Sequence, residues 1–444
     1  MSQKIFVIGA GRSASSLIKY LIDEAVENDF EIKVGDRDLS LVIDKIGENK
    51  RARAISFDVL NDTQRIEEIQ KADIVISMLP ASLHFKVAQD CVKYKKNLVT
   101  ASYVSDEIKS LDAEAKKNGV LLLNEIGLDP GIDHMSAMKI IDKIKAKGGK
   151  LISFKSYCGG LVAPESVSSP WQYKFTWNPR NVVLAGQGVA QYIRNGKYKY
   201  IPYNRLFKRT ETLSILDYGK FEAYANRDSL SYREVYGLKE IPTLLRGTLR
   251  RPGYCESWDL FVELGMTDDS YQMDVSGMTY LDFLNSFMRE AENTSQEHLR
   301  SHFGISEMVL NKFDWLGFFG ETKIELQKAT PSQVLQSILE SKWTLGKNDK
   351  DMVVMQHQFV YKLENSEHEL HSSFVTFGKD QTYTAMAKTV GLPVGIAAKL
   401  ILKGLIKAEG VKVPVDESIY NPVLAELEKF GIEFIEEEIN LLQS

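Results

Sequence analysis

The chain has 444 residues, of which 44% are hydrophobic and 26% charged, and its formal net charge at pH 7 is −5. This length allows two or three domains with a sizeable core, and the composition is that of a globular protein. The charge is mild and forms no long run of one sign, which argues against a nucleic-acid-binding surface, since such a surface needs a basic patch. Three widely spaced cysteines, Cys91, Cys158 and Cys255, predict neither a disulfide framework nor a zinc site.

The sequence carries no pattern that predicts export or membrane insertion. Met1-Ser-Gln-Lys leads into a strand-like run, without the apolar region and cleavage site of a signal peptide. The most apolar long window, Ala385–Leu405, contains Lys388, Pro393 and Lys399, which favours a buried amphipathic helix over a membrane span. We therefore expect a cytoplasmic protein in a reducing compartment, without nucleic-acid or membrane partners.

The first element is a predicted strand, glycine turn and helix. Lys4–Ile8 is a β-branched and aromatic run, Gly9-Ala-Gly11-Arg-Ser-Ala14 follows at once, and an apolar-periodic segment continues over Ala14–Ala25. The G-x-G-x-x-A pattern in this context is typical of dinucleotide binding, where pyrophosphate lies at the helix N-terminus. An empty turn of the same shape is the alternative.

The second predicted strand, Glu31–Val34, bears on the choice of coenzyme. It is followed by Gly35, Asp36 and Arg37, about where the residue that binds the adenine ribose belongs. Asp36 favours NAD, because a carboxylate accepts from the ribose 2′-hydroxyl and repels a 2′-phosphate. Arg37 beside it suits NADP, so the sequence leaves NAD or NADP open with a preference for NAD.

Strands and helices alternate regularly up to about residue 146. Further strands are predicted at 54–58, 73–79, 97–102 and 120–123, and helices at 84–94, 105–118 and 135–146. This alternation predicts a doubly wound parallel sheet with ligands at the carboxyl ends of its strands. Tyr103, just after the strand predicted at 97–102, is either an aromatic lid or a loop anchor. His84 is interpreted as a helix-start residue rather than a catalytic one.

The loop after the last of these strands, Asn124-Glu-Ile-Gly-Leu-Asp-Pro-Gly-Ile-Asp-His134, concentrates polar chemistry. Its glycines and proline predict a tight turn, and a helix is expected from about Asp133. Asp133 fits a structural role as the helix cap. Asp129, inside the Gly-Pro loop, is harder to explain structurally and is the candidate for chemistry.

The middle of the chain predicts an α+β domain built mainly on antiparallel pairing. Strand-like runs are at 151–158, 219–224 and 242–250, and a hairpin is predicted from 351–363 and 368–376 with its turn near Asn365. Helices are predicted at 279–291 and, with a Thr-Pro start, at 330–343. The tail, 383–437, reads as helical and is expected to dock back on the first domain.

Two polar, basic stretches stand out in this middle part, Asn226-Arg-Asp-Ser229 and Arg246-Gly-Thr-Leu-Arg-Arg251. Arginines beside Gly and Thr at strand ends suit bidentate binding of carboxylates. Solvated strand ends with surface ion pairs are the alternative for any one of these arginines.

Taken together, these stretches resemble the saccharopine dehydrogenase family, specifically its glutamate-forming type. The most specific part is Asn124–His134, and the resemblance spans nearly the whole chain. The segments that carry it are Gly9–Ala14, Ala101–Tyr103, Asn124–His134, Tyr157–Gly160, Tyr173–Trp177, Tyr224–Ser229, Arg246–Arg250, Asp351–Phe359 and Gly391–Gly404.

The resemblance implies a fold and a reaction. The fold class is α/β: a Rossmann-type doubly wound parallel sheet in residues 1–135, an inserted α+β substrate-binding and dimerisation domain in 136–383 with a smaller helical region around 278–345, and a helical segment in 384–444 that completes the first domain. The reaction is the reversible NAD(P)-dependent oxidation of saccharopine, a secondary amine, to an imine that water splits into 2-aminoadipate semialdehyde and glutamate. A homodimer and a reaction without metal are also implied.

The same resemblance implies roles for individual residues. Catalytic groups are Asp129, Tyr103 and Cys158, although Cys158 also fits a small buried hydrophobe. The coenzyme-binding set is Gly9, Gly11, Arg12, Ser13, Ala14, Asp36, Arg37, Leu79, Pro80, Gly127 and Leu128. The substrate-binding set is Ala101, Ser102, Tyr103, Asp129, Trp177, Arg227, Thr248, Leu249 and Arg250.

The sequence departs from the family at two places. Asp36 stands where fungal relatives have a neutral residue, and Tyr224-Ala-Asn replaces a proline-containing version.

A related imine reductase, such as carboxynorspermidine dehydrogenase, is the alternative enzyme, with fewer carboxylates for Arg227 and Arg250 to bind. A non-catalytic dinucleotide-binding scaffold is the alternative outside enzymes.

Overall fold

The computed structural model describes residues 2–185, 187–289, 294–364 and 366–439. The strands are β1 (Gln3–Ile8), β2 (Phe30–Asp36), β3 (Ala52–Ser56), β4 (Ile74–Ser77), β5 (Asn97–Val99), β6 (Leu121–Leu123), β7 (Lys150–Val162), β8 (Val189–Arg194), β9 (Lys197–Pro202), β10 (Thr210–Ser214), β11 (Lys220–Ala225), β12 (Thr243–Arg250), β13 (Met273–Asp274), β14 (Lys328–Ala329), β15 (Asp351–Leu363), β16 (Ser366–Phe377), β17 (Gly410–Lys412) and β18 (Ile435–Ile439).

The helices fall into the same order along the chain. They are α1 (Ser15–Glu24), α2 (Leu39–Ile46), α3 (Asp62–Lys71), α4 (His84–Lys93), α5 (Asp106–Ser110), α6 (Asp112–Asn118), α7 (Ile132–Ala146), α8 (Pro179–Val183), α9 (Tyr232–Val235), α10 (Tyr254–Leu264), α11 (Tyr280–Asn285), α12 (Ser295–Phe303), α13 (Glu307–Leu316), α14 (Pro331–Trp343), α15 (Ala385–Leu402) and α16 (Glu417–Glu428). Turns of 3-10 helix lead into α1 (Arg12–Ala14) and α4 (Ala81–Leu83).

The described residues divide into two compact units, the first containing the chain up to Lys150 together with Phe374–Ile435. Its core is a seven-stranded sheet in the order β17-β6-β5-β4-β1-β2-β3, with every neighbouring pair parallel. This is the Rossmann strand order with one strand added at the β6 edge, and the order reverses between β1 and β4. The predicted doubly wound sheet is confirmed, and ligands of such sheets bind at that reversal.

The strands of this sheet form because they are short apolar runs that helices cover on both faces. All four residues of β4 are buried, as are the last four of β1. Phe6 of β1 packs edge-on against Phe57, with ring centroids 5.1 Å apart. These buried runs hold the carboxyl ends of β1, β4, β5 and β6 at one edge of the sheet.

Helix α15 joins the tail of the chain to the first unit. A Cβ atom at Gly391 would lie 2.9 Å from the backbone nitrogen of Leu17, and one at Gly395 would lie 2.8 Å from the Tyr20 ring, so both glycines permit close packing on α1. Lys399 of α15 is buried and pairs with Glu24 of α1 at 3.0 Å and with Glu426 of α16. By length and composition α15 is the one helix in the described chain that could cross a membrane, but 78% of it is buried inside the structure.

The second unit, Leu151–Tyr361 with Glu367–Ser373 and the residues after Ile435, is built on a mixed sheet of nine strands. The order is β10-β11-β12-β7-β15-β16-β18, with β8 bonded to β12 and β9. β12 runs antiparallel to β11 but parallel to β7, so Cys158 of β7 lies beside Thr248 of β12 in register. An α+β unit is confirmed, with a parallel pair at its centre.

Aromatic side chains form much of the core of the second unit. Trp171 stacks on Phe261 with centroids 5.8 Å apart, and Tyr254 stacks on Trp258 at 5.6 Å. Trp343 closes the cluster, and all three tryptophans named here are fully buried. Trp171 lies in a segment with little regular secondary structure, so core residues of this unit also come from outside its helices and strands.

Several predicted elements differ from those observed. The helix predicted over 105–118 is two helices, α5 and α6, because the backbone turns at Leu111. The strand predicted to end at Cys158 continues through both glycines to Val162. The helix predicted over 279–291 ends at Asn285, and residues 286–289 that follow are not helical; residues 290–293, like the turn predicted near Asn365, lie outside the described residues.

Some strands and helices are absent from the prediction, among them β8, β9, β10, α10, α12 and α13. In β9, Lys197-Tyr-Lys-Tyr-Ile-Pro, five of the six residues are exposed, so the strand has no buried apolar face. The tail, predicted as helical throughout, contains β17 and β18 besides α15 and α16. β17 is a three-residue strand that owes its conformation to pairing with β6.

Candidate active site

The glycine turn after β1 has the geometry that a phosphate site requires. Gly9 has φ +102°, and a Cβ there would lie 2.9 Å from the carbonyl oxygen of Met78, so only glycine fits. Within the described chain, the backbone N–H groups of Arg12 and Ser13 donate to no other group, and no acidic residue lies in the first turn of α1. Free N–H groups at a helix start attract anions, so the turn fits the pyrophosphate of a dinucleotide.

Asp36, the last residue of β2, is fixed by the same turn. One of its carboxylate oxygens accepts from the backbone N–H of Ala10 at 2.7 Å, and the other accepts from Asp38 at 3.0 Å. A carboxylate oxygen has lone pairs for more than one donor, so Asp36 keeps acceptor capacity for a ribose hydroxyl. Arg37 is exposed, with only a 3.5 Å ion pair to the exposed Asp58.

The carboxyl end of β4 leads through Leu79 and Pro80 to His84 at the start of α4. The imidazole is buried, and it bridges two serines: Nδ1 lies 2.8 Å from Ser77 Oγ and Nε2 lies 2.7 Å from Ser102 Oγ. Burial lowers the pKa of His84 to about 4, so the ring is neutral near pH 7. Interpreting His84 only as a helix start therefore missed a side chain that joins β4 to a predicted substrate residue.

The segment after β5 places Ala101 and Ser102 in half-buried positions and leaves Tyr103 40% exposed. The Ser102 carbonyl accepts from the backbone N–H of Glu125 at 3.0 Å, and the Glu125 carboxylate accepts from the backbone N–H of Val104 at 3.0 Å. These bonds tie the Ala101–Tyr103 segment to the loop that follows β6.

That loop, Gly127–Gly131, closes on itself. Gly127 N–H donates to the Pro130 carbonyl at 2.9 Å, and a Cβ at Gly131 (φ +145°) would lie 2.2 Å from the backbone of Gly127. A Cβ at Gly127 would in turn lie 2.9 Å from the Cβ of Ala101, so both glycines are required. Leu128 is buried, whereas Asp129 is half-exposed at the tip.

The structure corrects the assignment of Asp133. Helix α7 begins at Ile132 and its N-cap position is Gly131, so Asp133 is not the capping residue. Its buried carboxylate instead reaches back to accept from the Gly131 N–H at 2.6 Å. His134 lies between this carboxylate, at 3.5 Å, and Glu125, at 3.0 Å. Asp133 is thus part of a buried network that supports the loop.

In the second unit, the predicted substrate residues cluster around the end of β12. Leu249 and Cys158 are buried, Thr248 and Trp177 are half-buried, and a Cβ at Gly159 would lie 2.6 Å from the Leu249 carbonyl. The close approach of β7 to β12 explains Gly159. It also buries Cys158, which lies beside Thr248 of β12.

Arg250, the last residue of β12, is a buried cation without a carboxylate partner among the described residues. Only 3% of it is exposed, its guanidinium carbon lies 5.1 Å from the Tyr173 ring and 5.2 Å from the Tyr254 ring, and its Nε has no hydrogen-bond partner. Its one backbone bond is to the carbonyl of Leu249 at 2.8 Å. A buried charge usually has a partner of opposite sign, so the arrangement fits an anionic ligand.

Arg227 differs from Arg250 in every respect. It is exposed, with a backbone φ of +34°, and its carbonyl accepts from Gln191 at 2.7 Å. Arg246, the other arginine of the Arg246–Arg251 stretch, lies inside β12 rather than at a strand end, with its guanidinium 4.1 Å from the Tyr232 ring.

Sequence reasoning missed several residues that the structure brings to these sites. Tyr173 and Tyr254 flank Arg250, and Glu125 and His134 support the loop. In the sequence, these residues could be recognised only by where they stand. Glu125 and His134 lie within the Asn124–His134 string, and Tyr254 follows Arg250 by four residues. Across the described residues there is no group of three or more His, Cys, Asp or Glu side chains that could hold a metal ion.

Two family models match the chain end to end. The saccharopine dehydrogenase NADP binding domain matches residues 5–123, and the saccharopine dehydrogenase C-terminal domain matches residues 127–432. The second match alone covers more than half of the chain.

Relatives agree with the family models. The chain is 35% identical to the NADP(+)-linked, L-glutamate-forming saccharopine dehydrogenase of Saccharomyces cerevisiae, with 97% of this chain and 98% of the relative covered. It is 34% identical to the mitochondrial alpha-aminoadipic semialdehyde synthase of Bos taurus, of which it spans 47%.

Solved structures give the same answer. An apo saccharopine dehydrogenase (L-Glu forming) from Saccharomyces cerevisiae matches with a TM-score of 0.89 and 34% identity over 99% of this chain and 100% of that one. A homospermidine synthase from Legionella pneumophila shares the fold, with a TM-score of 0.58 at 8% identity, covering 99% of this chain and 92% of that one. On the family models, the full-length relatives and the fold, the chain belongs to the saccharopine dehydrogenase family.

Proposed function

We propose that the chain is a glutamate-forming saccharopine dehydrogenase that acts in lysine metabolism. It oxidises the secondary amine of saccharopine, and water then releases 2-aminoadipate semialdehyde and glutamate; one NAD(P)⁺ is reduced and one proton is released. The observation that carries the proposal is Arg250, a buried cation with no carboxylate partner among the described residues, in a chain whose full-length relatives at 32–35% identity bear this activity in their names.

The coenzyme would be held by the first unit. The N–H groups of Arg12 and Ser13 suit its pyrophosphate, Asp36 or Arg37 its adenine ribose, and Leu79, Pro80, Gly127 and Leu128 lie on the loops that follow β4 and β6. When bound, the nicotinamide accepts the hydride in one direction and returns it in the other.

The chain's own residues position the substrate and move protons. Asp129, half-exposed at the tip of its rigid loop, is placed to accept a hydrogen bond from the substrate amine or to hold the attacking water. Ser102 and Tyr103 present hydroxyl groups at the end of β5. Asp129 is proposed to orient or transfer protons together with these hydroxyls, with no single group assigned as the base.

Carboxylate recognition is assigned to the second unit. Arg250 is proposed to bind one substrate carboxylate through a charge-assisted hydrogen bond, with Arg227, Thr248 and Trp177 completing the set. Saccharopine carries three carboxylates, and the fully buried position of Arg250 favours it over the less acidic substrate of a carboxynorspermidine-type reductase.

On the coenzyme, we propose that NAD serves at least as well as NADP. The relatives' names specify NADP(+), so this is where the chain is expected to depart from them. Support comes from Asp36, whose carboxylate is held at the end of β2 by the Ala10 N–H at 2.7 Å. A fixed carboxylate there repels a 2′-phosphate.

The test is an initial-rate assay of saccharopine with NAD⁺ and with NADP⁺, in the wild type and in Asp36→Ser. Saccharopine-dependent reduction of either coenzyme is expected, and Asp36→Ser should raise the NADP/NAD ratio of kcat/KM. A wild type that strongly prefers NADP would overturn the NAD assignment. A wild type inert with both coenzymes, yet binding NADH, would overturn the substrate.

We further propose that the protein is a cytoplasmic homodimer organised as residues 1–135, 136–383 and 384–444, the middle part being the substrate and dimerisation domain. The three cysteines are buried and none of them is in a disulfide, as expected in a reducing compartment. Light scattering on the purified chain checks the dimer: a monomer mass at micromolar concentration would exclude it.

A further inference from the structure

The bridge between β4 and the Ser102 hydroxyl, made by the His84 imidazole, has no role in the reaction as proposed so far. Ser77 is fully buried, His84 is 1% exposed, and Ser102 is half-buried at the end of β5. The distances of 2.8 Å and 2.7 Å are those of good hydrogen bonds, so both ring nitrogens are engaged at once.

A neutral imidazole has one N–H donor and one lone-pair acceptor. With Ser77 on one side and Ser102 on the other, the ring donates to one hydroxyl and accepts from the other. The Ser102 hydroxyl is therefore committed in direction. When Nε2 accepts, the lone pairs of Ser102 are left for a substrate N–H; when Nε2 donates, the Ser102 proton is left for a substrate oxygen.

The surroundings keep the ring in place. His84 is the first residue of α4, and the 3-10 turn before it, Ala81–Leu83, follows closely on the end of β4. The backbone N–H of Ser102 lies 3.3 Å from Thr100 Oγ1, and its carbonyl holds Glu125 N–H. Both ends of the bridge are thus anchored to the parallel sheet.

We propose that His84 is a positioning residue for the reaction, which fixes the hydroxyl of Ser102 and sets whether that hydroxyl donates to or accepts from the substrate. This rests on the proposed function only in taking Ser102 as a substrate-binding residue. His84 itself touches neither substrate nor coenzyme in this proposal.

Matched substitutions separate this role from packing. The amide nitrogen of glutamine reaches about where Nε2 lies, and that of asparagine about where Nδ1 lies, so His84→Gln keeps the Ser102 bond and His84→Asn keeps only the Ser77 bond. We expect His84→Asn to lower kcat/KM for saccharopine about tenfold, the scale of one orienting hydrogen bond, with NADH affinity unchanged. His84→Gln should restore most of the loss.

The Ser102→Ala background completes the kinetic test. If His84 acts through Ser102, adding His84→Asn to Ser102→Ala should produce no further loss of kcat/KM. An equal tenfold loss in that background, or a His84→Gln variant as impaired as His84→Asn, would overturn the proposal and leave His84 a packing residue. Melting temperatures of all variants show whether any loss reflects unfolding.

A second measurement does not depend on the substrate. With ¹⁵N-labelled histidine, and His84 assigned by its loss in His84→Asn, both ring nitrogens should give the shifts of a neutral, hydrogen-bonded imidazole. Ser102→Ala should move the Nε2 signal and Ser77→Ala the Nδ1 signal. If saccharopine is not turned over, the proposed function fails, but the ¹⁵N measurement still tests the bridge. Unchanged His84 signals in Ser102→Ala would overturn the bridge itself.

Discussion

The polar side chains around the candidate site of the first unit are bonded to other groups of the protein, whereas the second unit buries two charged side chains that each keep an atom without a hydrogen bond in the described part of the chain. In the first unit Asp36 holds the Ala10 N–H, His84 holds two serines, and Asp133 holds the Gly131 N–H. In the second unit, the Nε of Arg250 and one carboxylate oxygen of Asp259 are buried without a hydrogen bond. The difference suggests that the first unit is built as a rigid frame and that the second reserves charge for a ligand.

The largest effect on activity is expected for Asp129, at the tip of the Gly127–Gly131 loop of the first unit. Asp129→Ala should lower kcat/KM for saccharopine by about tenfold to a thousandfold, the range between an orienting group and a general base. NADH affinity and the melting temperature should be unchanged, because the backbone hydrogen bonds that close the loop are kept in the variant. Near-wild-type turnover in Asp129→Ala would assign the chemistry elsewhere.

The charge that the second unit leaves unpaired gives the next prediction. Arg250→Met should weaken saccharopine binding by about 1.5–3 kcal/mol, the scale of a hydrogen bond to a charged group. The free energy of unfolding should not fall, because methionine removes a buried charge that no carboxylate offsets. The control is Arg251→Met, since Arg251 donates to the Tyr218 carbonyl and should leave binding intact. A destabilised Arg250→Met with normal binding would make Arg250 structural.

A substitution in the buried network of the first unit should lower stability rather than substrate binding. Asp133→Ala leaves the Gly131 N–H without its buried acceptor and removes one of the two carboxylates beside His134, so the free energy of unfolding should fall by about 1–3 kcal/mol in urea titration. Where the protein remains folded, turnover should be largely retained. Loss of turnover at unchanged stability would give Asp133 the chemical role assigned to Asp129.

Asp259 sharpens the comparison, because its buried carboxylate already has an ion pair with Lys208 at 3.5 Å and so need not await a ligand. Burial raises its pKa to about 6, from an unfolded value near 4. Between these values the folded state binds the extra proton, so this group's contribution to stability is present below pH 4 and is lost as pH rises through 6.

Asp259→Asn should therefore raise the free energy of unfolding at pH 7.5 by about 1 kcal/mol, after allowance for the lost 3.5 Å contact with the exposed Lys208. It should also flatten the pH dependence between 4 and 6. Urea titrations at pH 4.5 and 7.5 measure both, with saccharopine KM as the control. A raised KM would show that Asp259, too, serves the ligand.

The comparison also shows what the sequence could predict. The first unit follows local rules: apolar strands, a glycine turn and alternating helices predict the parallel sheet and the positions of Gly9, Asp36 and the Gly127–Gly131 loop. The second unit depends on distant pairing. β9 and β10 are mostly exposed, and Tyr173 meets Arg250 only because separate segments pack together. Asp133 was misassigned because a cap and a carboxylate reaching back to Gly131 look alike in sequence.

The packing of α15 on α1 has a consequence for how the protein is made. Gly391 and Gly395 press the tail against the helix that follows the glycine turn, and β17 adds the last strand at the β6 edge. A ribosome delivers β1 to α7 first, then all of the intervening second unit, and only afterwards these closing pieces. Until these pieces are made, the apolar side of α1 and the edge of β6 remain uncovered in the nascent first unit. Exposed apolar surface and unpaired strand edges of this kind are what chaperones protect during synthesis.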